Sequence, residues 1–272
     1  MSSRKFKIAF FSMRKSMSER FLLKLISTKT LNDNTVHFNF KILNSGKLNL
    51  VAGQFLRLLF QQDGEEVFRS YSIANILTSN TDTIDNIELA VSWVDGGLAT
   101  VGLQNLKIGD EIDAMAPYGR FCLTDKMWDR YFLVATGTGV TPYRAMTNEL
   151  IARIDAGAQV YIVMGARDET GLLYADEFRN NAKNKNYHYV SCLSRENLKN
   201  PTDLDFEGHV QTYLKQVEFD TDNDVVYLCG NPEMVDEAFT LMKEKGMPVP
   251  QIRREKYVSP PIRKKKPAFN LK

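Results

Sequence analysis

The pattern of apolar residues changes halfway along this chain. Residues Thr35–Ile42 alternate polar and apolar side chains without a break, which is the period-two pattern of a half-buried strand. The other strand candidates of the first half are Phe21–Ser27, Gln54–Phe60, Glu66–Ile73, Ile87–Val94 and Glu111–Ala116. Because turn signals rather than helices separate these short strands, the first half is predicted to form a closed antiparallel β-barrel.

The second half alternates strands with helices. Its predicted strands are Tyr131–Thr136, Val160–Ala166, Tyr187–Leu193 and Val225–Cys229. Its predicted helices are Thr141–Ile154, Tyr174–Asn180, His209–Val217 and Pro232–Lys245. The last helix has Pro at its start and Gly just after its end, as capping preferences favour. Such alternation predicts an α/β Rossmann-like parallel sheet with helices on both faces.

The length of 272 residues suits two domains of moderate size. We divide the chain into a basic N-terminal arm at 1–20, a β-barrel domain at 21–126, an α/β domain at 127–258 and a C-terminal extension at 259–272. A net charge of +2 gives no reason to expect nucleic-acid binding. No apolar run approaches the roughly 18 residues of a membrane helix. We therefore expect no transmembrane segment. We also expect the protein to be a monomer.

Cysteine and histidine usage argues against a metal centre. Cys122, Cys192 and Cys229 are far apart and form no CxxC pair, so neither a zinc site nor an iron–sulfur cluster is predicted. The three histidines show no ligand spacing, and His37 is expected to be exposed on the polar side of its strand. Few cysteines fit a reducing compartment such as the cytoplasm. An organellar matrix is the alternative if the basic, Ser-rich arm is a transit peptide.

Two strings in the first half suit a flavin nucleotide, which needs a cation or backbone donors at its phosphates, a cover for its ring and a hydrogen-bonding neighbour at N5. The first string is Arg69, Ser70, Tyr71 and Ser72. The second string is Gly97, Leu98, Ala99 and Thr100. Strand alternation places Arg69 and Tyr71 on one face and the two serines on the other. Read alone, the first string is typical of an ordinary strand and the second of a hairpin turn.

Two strings in the second half each connect the end of a strand to the start of a helix. The first is Thr136, Gly137, Thr138 and Gly139. The second is Cys229, Gly230, Asn231 and, after Pro and Glu, Met234. The carboxyl end of the first parallel strand is where a nucleotide pyrophosphate binds. The first string is not the GxGxxG fingerprint, because Pro142 stands where the third glycine is expected.

In this order and spacing, the four strings together resemble the plant-type ferredoxin–NADP(+) reductase family, whose members combine a flavin-binding barrel with a nucleotide domain. The resemblance runs from Phe21 to Val258. Glu255-Lys-Tyr257 is similar to the Glu-x-aromatic that closes many members, although fifteen residues follow Tyr257 here. The extension beyond Tyr257 resembles bacterial members of the family.

The resemblance implies a role for each matched position. Arg69 is expected to bind an FAD phosphate, Tyr71 to cover the flavin ring and Ser72 to approach N5. The segment from Gly97 to Thr100 is expected to hold the pyrophosphate. The expected catalytic set is Ser72, Cys229, Glu255 and Tyr257, with Cys229 beside the nicotinamide and Tyr257 on the nicotinamide side of the flavin.

The choice of nucleotide depends on residues after two strands. Ser194 and Arg195 resemble the Ser-Arg of NADP-using members, and Arg167 follows the preceding strand. A 2′-phosphate favours such partners, so NADPH is predicted over NADH. The predicted function is electron exchange between NADPH and an acidic one-electron carrier, ferredoxin or flavodoxin. The alternatives are the reductase component of an oxygenase, a free-flavin reductase, and a non-catalytic flavin-binding electron-transfer subunit.

Overall fold

The computed structural model describes residues 18–44, 48–77, 82–196 and 204–258. The C-terminal extension predicted at 259–272 and nearly all of the basic arm predicted at 1–20 lie outside the described residues. Within the described ranges, no helix is both long and apolar enough to cross a membrane. Nor does any group of three or more His, Cys, Asp or Glu side chains in these ranges suit a metal ion.

The first half of the chain is built of strands. They are β1 (Glu19–Asn32), β2 (Thr35–Ile42), β3 (Leu48–Leu50), β4 (Phe55–Gln62), β5 (Glu65–Ser72), β6 (Asp82–Ile84), β7 (Asn86–Ser92) and β8 (Glu111–Tyr118). One short helix, α1 (Leu98–Gln104), interrupts them in the described part of this half. It buries Ala99 and Leu103 against the sheet. Strands β3 and β6 pair with each other in a small separate antiparallel sheet.

Six strands of the described chain form one antiparallel sheet in the order β5-β4-β8-β1-β2-β7. A bridge between Ile73 and Leu89 joins its two edges, and the sheet thereby closes into a barrel. The alternation predicted for β2 is present, since Phe38, Phe40 and Ile42 are buried in the barrel core. The predicted antiparallel barrel is confirmed.

The second half of the chain alternates strands and helices. Its strands are β9 (Arg130–Thr136), β10 (Gln159–Ala166), β11 (Tyr187–Leu193), β12 (Phe206–Glu207), β13 (Asp224–Gly230) and β14 (Ile252–Lys256). Its helices are α2 (Thr141–Ala145), α3 (Thr147–Asp155), α4 (Ala175–Asn181), α5 (Val210–Gln216) and α6 (Pro232–Glu244), with 3₁₀ turns at Gly137–Val140, Glu169–Gly171 and Val249–Gln251.

These strands form a parallel sheet in the order β12-β11-β10-β9-β13-β14. Every residue of β13 is buried, as expected for a central strand covered on both faces. The predicted Rossmann-like sheet is confirmed, and β14 adds an edge strand that the sequence did not predict. The carboxyl ends of β9 and β13 are neighbours, so the loops after them meet.

The helix predicted over Thr141–Ile154 is interrupted in the structure. Helix α2 ends at Ala145, Met146 stands between the two helices with φ −79° and ψ −4°, and α3 begins at Thr147. The Thr147 hydroxyl donates to the carbonyl of Tyr143 at 3.5 Å, a back-bond that distorts helices. Across the interruption the segment still buries one apolar face, which includes Tyr143, Leu150 and Ile154.

The two halves share one hydrophobic core. Phe121, which follows the last barrel strand, packs against Tyr143 of α2 and Tyr227 of β13, with ring centroids 6.1 and 5.6 Å apart. The Tyr143 hydroxyl lies within hydrogen-bond distance of the carbonyls of Val134 and Tyr227, which share its proton. This buried hydroxyl therefore has hydrogen-bond partners inside the core. The barrel is therefore packed directly onto the edge of the parallel sheet that carries the loops.

Candidate active site

Four residues predicted as the catalytic set meet where the two halves touch. Ser72 ends barrel strand β5, and Tyr257 follows β14 of the parallel sheet. The Tyr257 hydroxyl donates to Ser72 Oγ at 2.5 Å, across 185 residues of sequence. Cys229 and Glu255 are register partners in the β13–β14 ladder. The Ser72 hydroxyl lowers the pKa of the Glu255 carboxyl, and the Tyr257 hydroxyl lowers the pKa of the Cys229 thiol, so each pair of groups lies close together.

Burial controls the protonation of this cluster. Cys229 is fully buried, and burial raises the pKa of its thiol well above the ordinary value. Burial also raises the pKa of the Glu255 carboxyl to about 7, against a smaller opposing effect of the Ser72 hydrogen bond. A neutral thiol is a poor nucleophile. The cluster is therefore suited to holding a ligand in place rather than to covalent catalysis.

The loops after β9 and β13 interlock through glycines. A Cβ on Gly139 would lie 2.3 Å from the carbonyl oxygen of Cys229, and one on Gly230 would lie 2.5 Å from the carbonyl oxygen of Thr136. Gly230 also has a φ of +126°, which other residues rarely adopt. Thr136 Oγ1 accepts a hydrogen bond from the Asn231 amide at 3.1 Å. These contacts require glycine at both positions and fix the place of Cys229.

A groove of about 1120 Å³ follows the carboxyl edge of the parallel sheet. Its lining includes these predicted binding residues: Thr136, Gly137, Arg167, Ser194, Arg195, Asn231 and Met234. Gly137 has open space around it, whereas Gly139 lies beneath the loop after β13. Neither Thr138 nor Gly139 lines the groove. The predicted string after β9 is thus divided between a ligand-facing and a packing part.

Two arginines lie side by side in this groove. The Arg195 amide donates to the carbonyl of Arg167 at 2.9 Å, which extends the β10–β11 pairing by one step. Neither guanidinium forms an ion pair with another residue of the described chain. Two guanidinium groups that line one groove and form no ion pair in the described chain suit a phosphate. The Ser194 hydroxyl donates to the carbonyl of Ala166 at 3.4 Å and lies beside them.

The barrel strand β5 presents its string on two faces, as alternation predicts. Arg69 and Tyr71 are paired with the buried Leu58 and Leu56 of β4, and the two serines of the string alternate with them. The Arg69 guanidinium donates to the neighbouring carbonyl of Phe68 at 2.8 Å and has no carboxylate partner in the described chain. It is therefore available for an anion.

The loop before α1 is closed by its own side chain. Thr100 Oγ1 accepts a hydrogen bond from the Val94 amide at 2.9 Å. A Cβ on Gly97 would lie 2.9 Å from the Val94 carbonyl, so a larger residue there would strain the turn. The Thr100 hydroxyl keeps its proton for one further acceptor. Leu98 and Ala99 begin the helix directly behind this turn.

Comparison with known proteins decides the family. The oxidoreductase FAD-binding domain family matches residues 22–122, and the oxidoreductase NAD-binding domain family matches residues 133–239. Ferredoxin–NADP reductase B of Sorangium cellulosum is 30% identical over 248 residues, which cover 88% of this chain and 98% of the relative. The chain belongs to the ferredoxin–NADP reductase family. This reductase is an oxidoreductase with FAD-binding and NAD(P)-binding domains, as the sequence predicted.

The reductase is also similar to an oxygenase component and to a solved ferredoxin–NADP(+) reductase. The reductase component of phenol 2-monooxygenase from a Pseudomonas species is 32% identical over 197 residues, which cover 71% of this chain but only 53% of that protein. The crystal structure of a ferredoxin–NADP(+) reductase from Neisseria gonorrhoeae with bound FAD and NADP superposes with a TM-score of 0.72 at 20% identity, covering 87% of this chain and 98% of that one. The second likeness concerns the fold alone.

The expectation that His37 of the reductase is exposed is wrong. Its side chain is 15% exposed, and Nδ1 lies 2.8 Å from the hydroxyl of Tyr174 in the α/β half. Nε2 lies 3.6 Å from the Glu88 carboxylate. Burial lowers the pKa of His37 despite the opposing effect of Glu88. The other half of the protein covers β2 around His37, which a local alternation pattern cannot reveal.

The barrel also contributes a wall to the nucleotide groove that the sequence did not predict. Residues Asn32, Asp33, Asn34 and Thr35 of the β1–β2 hairpin and Ser92 of β7 line it. The Asn32 side-chain amide donates to the carbonyl of Thr170 at 3.0 Å, which holds the hairpin against the α/β half. A turn signal marked this hairpin in the sequence, but nothing local indicated what it faces.

Proposed function

We propose that this reductase exchanges electrons between NADPH and a one-electron carrier of the ferredoxin or flavodoxin type through FAD. The observation that carries the proposal is the meeting of Ser72, from the flavin-side strand, with Cys229, Glu255 and Tyr257 from the nucleotide-side sheet. FAD suits the reaction because it accepts hydride and releases electrons singly. Residues 21–126 are proposed as the FAD-binding domain and 127–258 as the NADPH-binding domain.

The proposed flavin site combines a strand and a turn of the barrel half. Arg69, with its guanidinium free of carboxylates, binds an FAD phosphate. Tyr71 covers the flavin ring, and Ser72 orients N5 by hydrogen bonding. Gly97 and Thr100 fix the shape of the backbone turn that is proposed to bind the pyrophosphate. Tyr257, whose hydroxyl donates to Ser72 Oγ, is the side chain proposed to shield the flavin ring until the nucleotide binds.

The proposed nucleotide is NADPH. Arg167 and Arg195, which form no ion pair within the described residues, lie together beside Ser194 in a groove large enough for a dinucleotide. A 2′-phosphate would supply the anion that these guanidinium groups lack, whereas the 2′-hydroxyl of NADH would not. Cys229, at the other end of the same sheet edge, is the proposed neighbour of the nicotinamide.

The proposed carrier is an acidic protein. A depression of about 340 Å³ beside Glu255 is lined by Arg120, Arg253 and Arg254. The Arg253 guanidinium donates to the backbone carbonyl of Arg120 at 3.3 Å, which holds the Arg253 side chain at this depression. Complementary charge accelerates the encounter of electron-transfer partners and weakens with salt. Docking there would bring a carrier next to Glu255 of the proposed active site.

Anaerobic titration of the purified holoprotein tests the proposal. The flavin is released and identified by mass, and the intact protein is then mixed with NADPH and separately with NADH. We expect one FAD per chain and faster bleaching by NADPH. Release of FMN alone, or an unbleached flavin with both nucleotides, contradicts the proposal.

A second candidate function is the reductase component of an oxygenase. The 32% identity to the phenol 2-monooxygenase reductase component favours it, although this chain covers 53% of that protein. The two functions are distinguished by the acceptor. Reduced holoprotein is mixed with ferredoxin, with flavodoxin and with an oxygenase component that carries its own iron centre. Fast, salt-sensitive reduction of ferredoxin or flavodoxin supports the first function, and exclusive reduction of the oxygenase component supports the second.

A further inference from the structure

A single arginine joins the two halves beside the proposed active site. Arg144 belongs to α2, and its side chain is only 13% exposed. Its Nη1 donates to the Glu88 carboxylate of barrel strand β7 at 2.7 Å and to the carbonyl of Ala74 at 2.5 Å. Its Nε donates to Glu177 of α4, in its own half, at 2.7 Å. One guanidinium thus binds two partners in the barrel and one in the α/β half.

The partners of Arg144 lie close in sequence to the proposed site. Ala74 follows Ser72 by two residues. On the other side, α2 begins directly after the 3₁₀ turn that contains Gly139, and Gly139 is pressed against the Cys229 carbonyl. A short chain of rigid contacts therefore runs from Ser72 through Arg144 to Cys229.

Glu88 strengthens the same connection on the barrel side. The Glu88 amide donates to the side-chain oxygen of Asn75 at 2.8 Å, and the Glu88 carbonyl accepts from the Ala74 amide at 2.8 Å. Glu88 thus holds the segment after Ser72 with its backbone and Arg144 with its carboxylate. A second tie between the halves, from His37 to the Tyr174 hydroxyl, lies next to it.

We propose that Arg144 and Glu88 form an interdomain clamp that positions Ser72 relative to Cys229 for hydride transfer. The proposal deepens the function proposed above and rests on it. Arg144 and Glu88 line neither the groove nor the depression described above and belong to neither proposed binding site, so they are positioning residues. Hydride transfer requires close approach of two rings, and small displacements of bound groups reduce such rates strongly. Loss of the clamp should therefore slow hydride transfer while both binding sites remain intact.

The test compares two carboxylates that bind the same guanidinium. Glu88→Gln removes the charge that connects the halves, and Glu177→Gln removes a charge that stays within the α/β half. Arg144→Lys keeps the positive charge but cannot donate to three partners in a planar arrangement. Each holoprotein is checked for FAD content and circular dichroism. The limiting rate of flavin bleaching by NADPH and the dissociation constant of NADPH are then measured separately by anaerobic stopped flow.

We expect Glu88→Gln and Arg144→Lys to lower the limiting rate about tenfold, with the NADPH dissociation constant changed less than twofold. Glu177→Gln should keep a limiting rate within about twofold of the wild type. A merely structural pair would lower stability without this separation of rate from affinity. If Glu88→Gln bleaches at the wild-type rate, or if Glu177→Gln slows bleaching equally, the clamp is refuted. A wild type that NADPH does not bleach would instead refute the proposed function.

Discussion

Glu255 is expected to make the flavin-free protein less stable as the pH rises. Burial raises the pKa of its carboxyl from 4.5 to about 7 in the folded state, and the unfolded chain restores the ordinary value. Between these two values the folded protein keeps a proton that the unfolded chain has lost. The free energy of unfolding therefore falls as the pH rises through this range. The stability that the folded protein has with a neutral Glu255 carboxyl is present in full below pH 4.5 and is lost as the pH rises past about 7.

The magnitude follows from the two pKa values. At about 1.4 kcal/mol per pH unit, the difference between 4.5 and about 7 corresponds to about 3 kcal/mol. Glu255→Gln preserves the shape of the side chain and is neutral at every pH. The variant should match the wild type near pH 4 and exceed it by about 3 kcal/mol above about pH 8.

Urea unfolding measures this difference, with the fluorescence of Trp93 and Trp128 as the signal. The wild type, Glu255→Gln and the exposed control Glu244→Gln are unfolded at intervals from about pH 4 to about pH 9. Subtracting the free energy of unfolding of the wild type from that of each variant removes the contribution of the titrating groups that both proteins share. A Glu255→Gln difference that stays constant with pH, or that grows toward acid, would refute the reasoning. The control difference should stay flat.

Three further changes test other parts of the site. Arg195→Ala should weaken apparent affinity for NADPH about ten- to a hundredfold, from a lost charge-assisted bond of about 1.5–3 kcal/mol, and leave steady-state use of NADH nearly unchanged; equal losses would show that Arg195 contacts no 2′-phosphate. Cys229→Ser should slow stopped-flow bleaching about tenfold, roughly 1.4 kcal/mol of barrier, without loss of FAD, whereas a wild-type rate would make Cys229 merely structural. Gly139→Ala should lower the free energy of unfolding by about 1–3 kcal/mol in urea, because its Cβ would overlap the Cys229 carbonyl at 2.3 Å; an unchanged midpoint would contradict the interlocked loops.

Local periodicity predicted most of the fold but missed both edge strands of the parallel sheet, β12 and β14. The alternation in β2 and the strand–helix order of the second half were sufficient for the barrel and the parallel sheet. Strand β14 was not predicted, because four of its five residues are charged and only Ile252 is buried among the apolar side chains. Its strand conformation comes from pairing with β13, a contact between segments distant in sequence.

The candidate site was predicted through resemblance and only in part. Ser72, Cys229, Glu255 and Tyr257 were named from matched motifs, and the structure brings these four together. Their roles remain predictions. Arg144, Glu88 and the His37–Tyr174 pair carried no signal, because each depends on a partner in the other half. The order of apolar and polar residues specifies which face of a strand is polar, but not what that face meets.

The way Cys229 is held argues that the proposed nicotinamide site is defined by backbone rather than by side-chain chemistry. Gly139 contacts the Cys229 carbonyl, and Gly230 contacts Thr136, so neither loop can shift without displacing the other. The thiol itself is fully buried, and its raised pKa keeps it neutral. A small neutral group fixed at a sheet edge can limit how closely a planar ring approaches, but it cannot attack that ring. Since Arg144 fixes the same edge relative to Ser72, the distance between the two reacting rings would be determined by packing on both sides of the site.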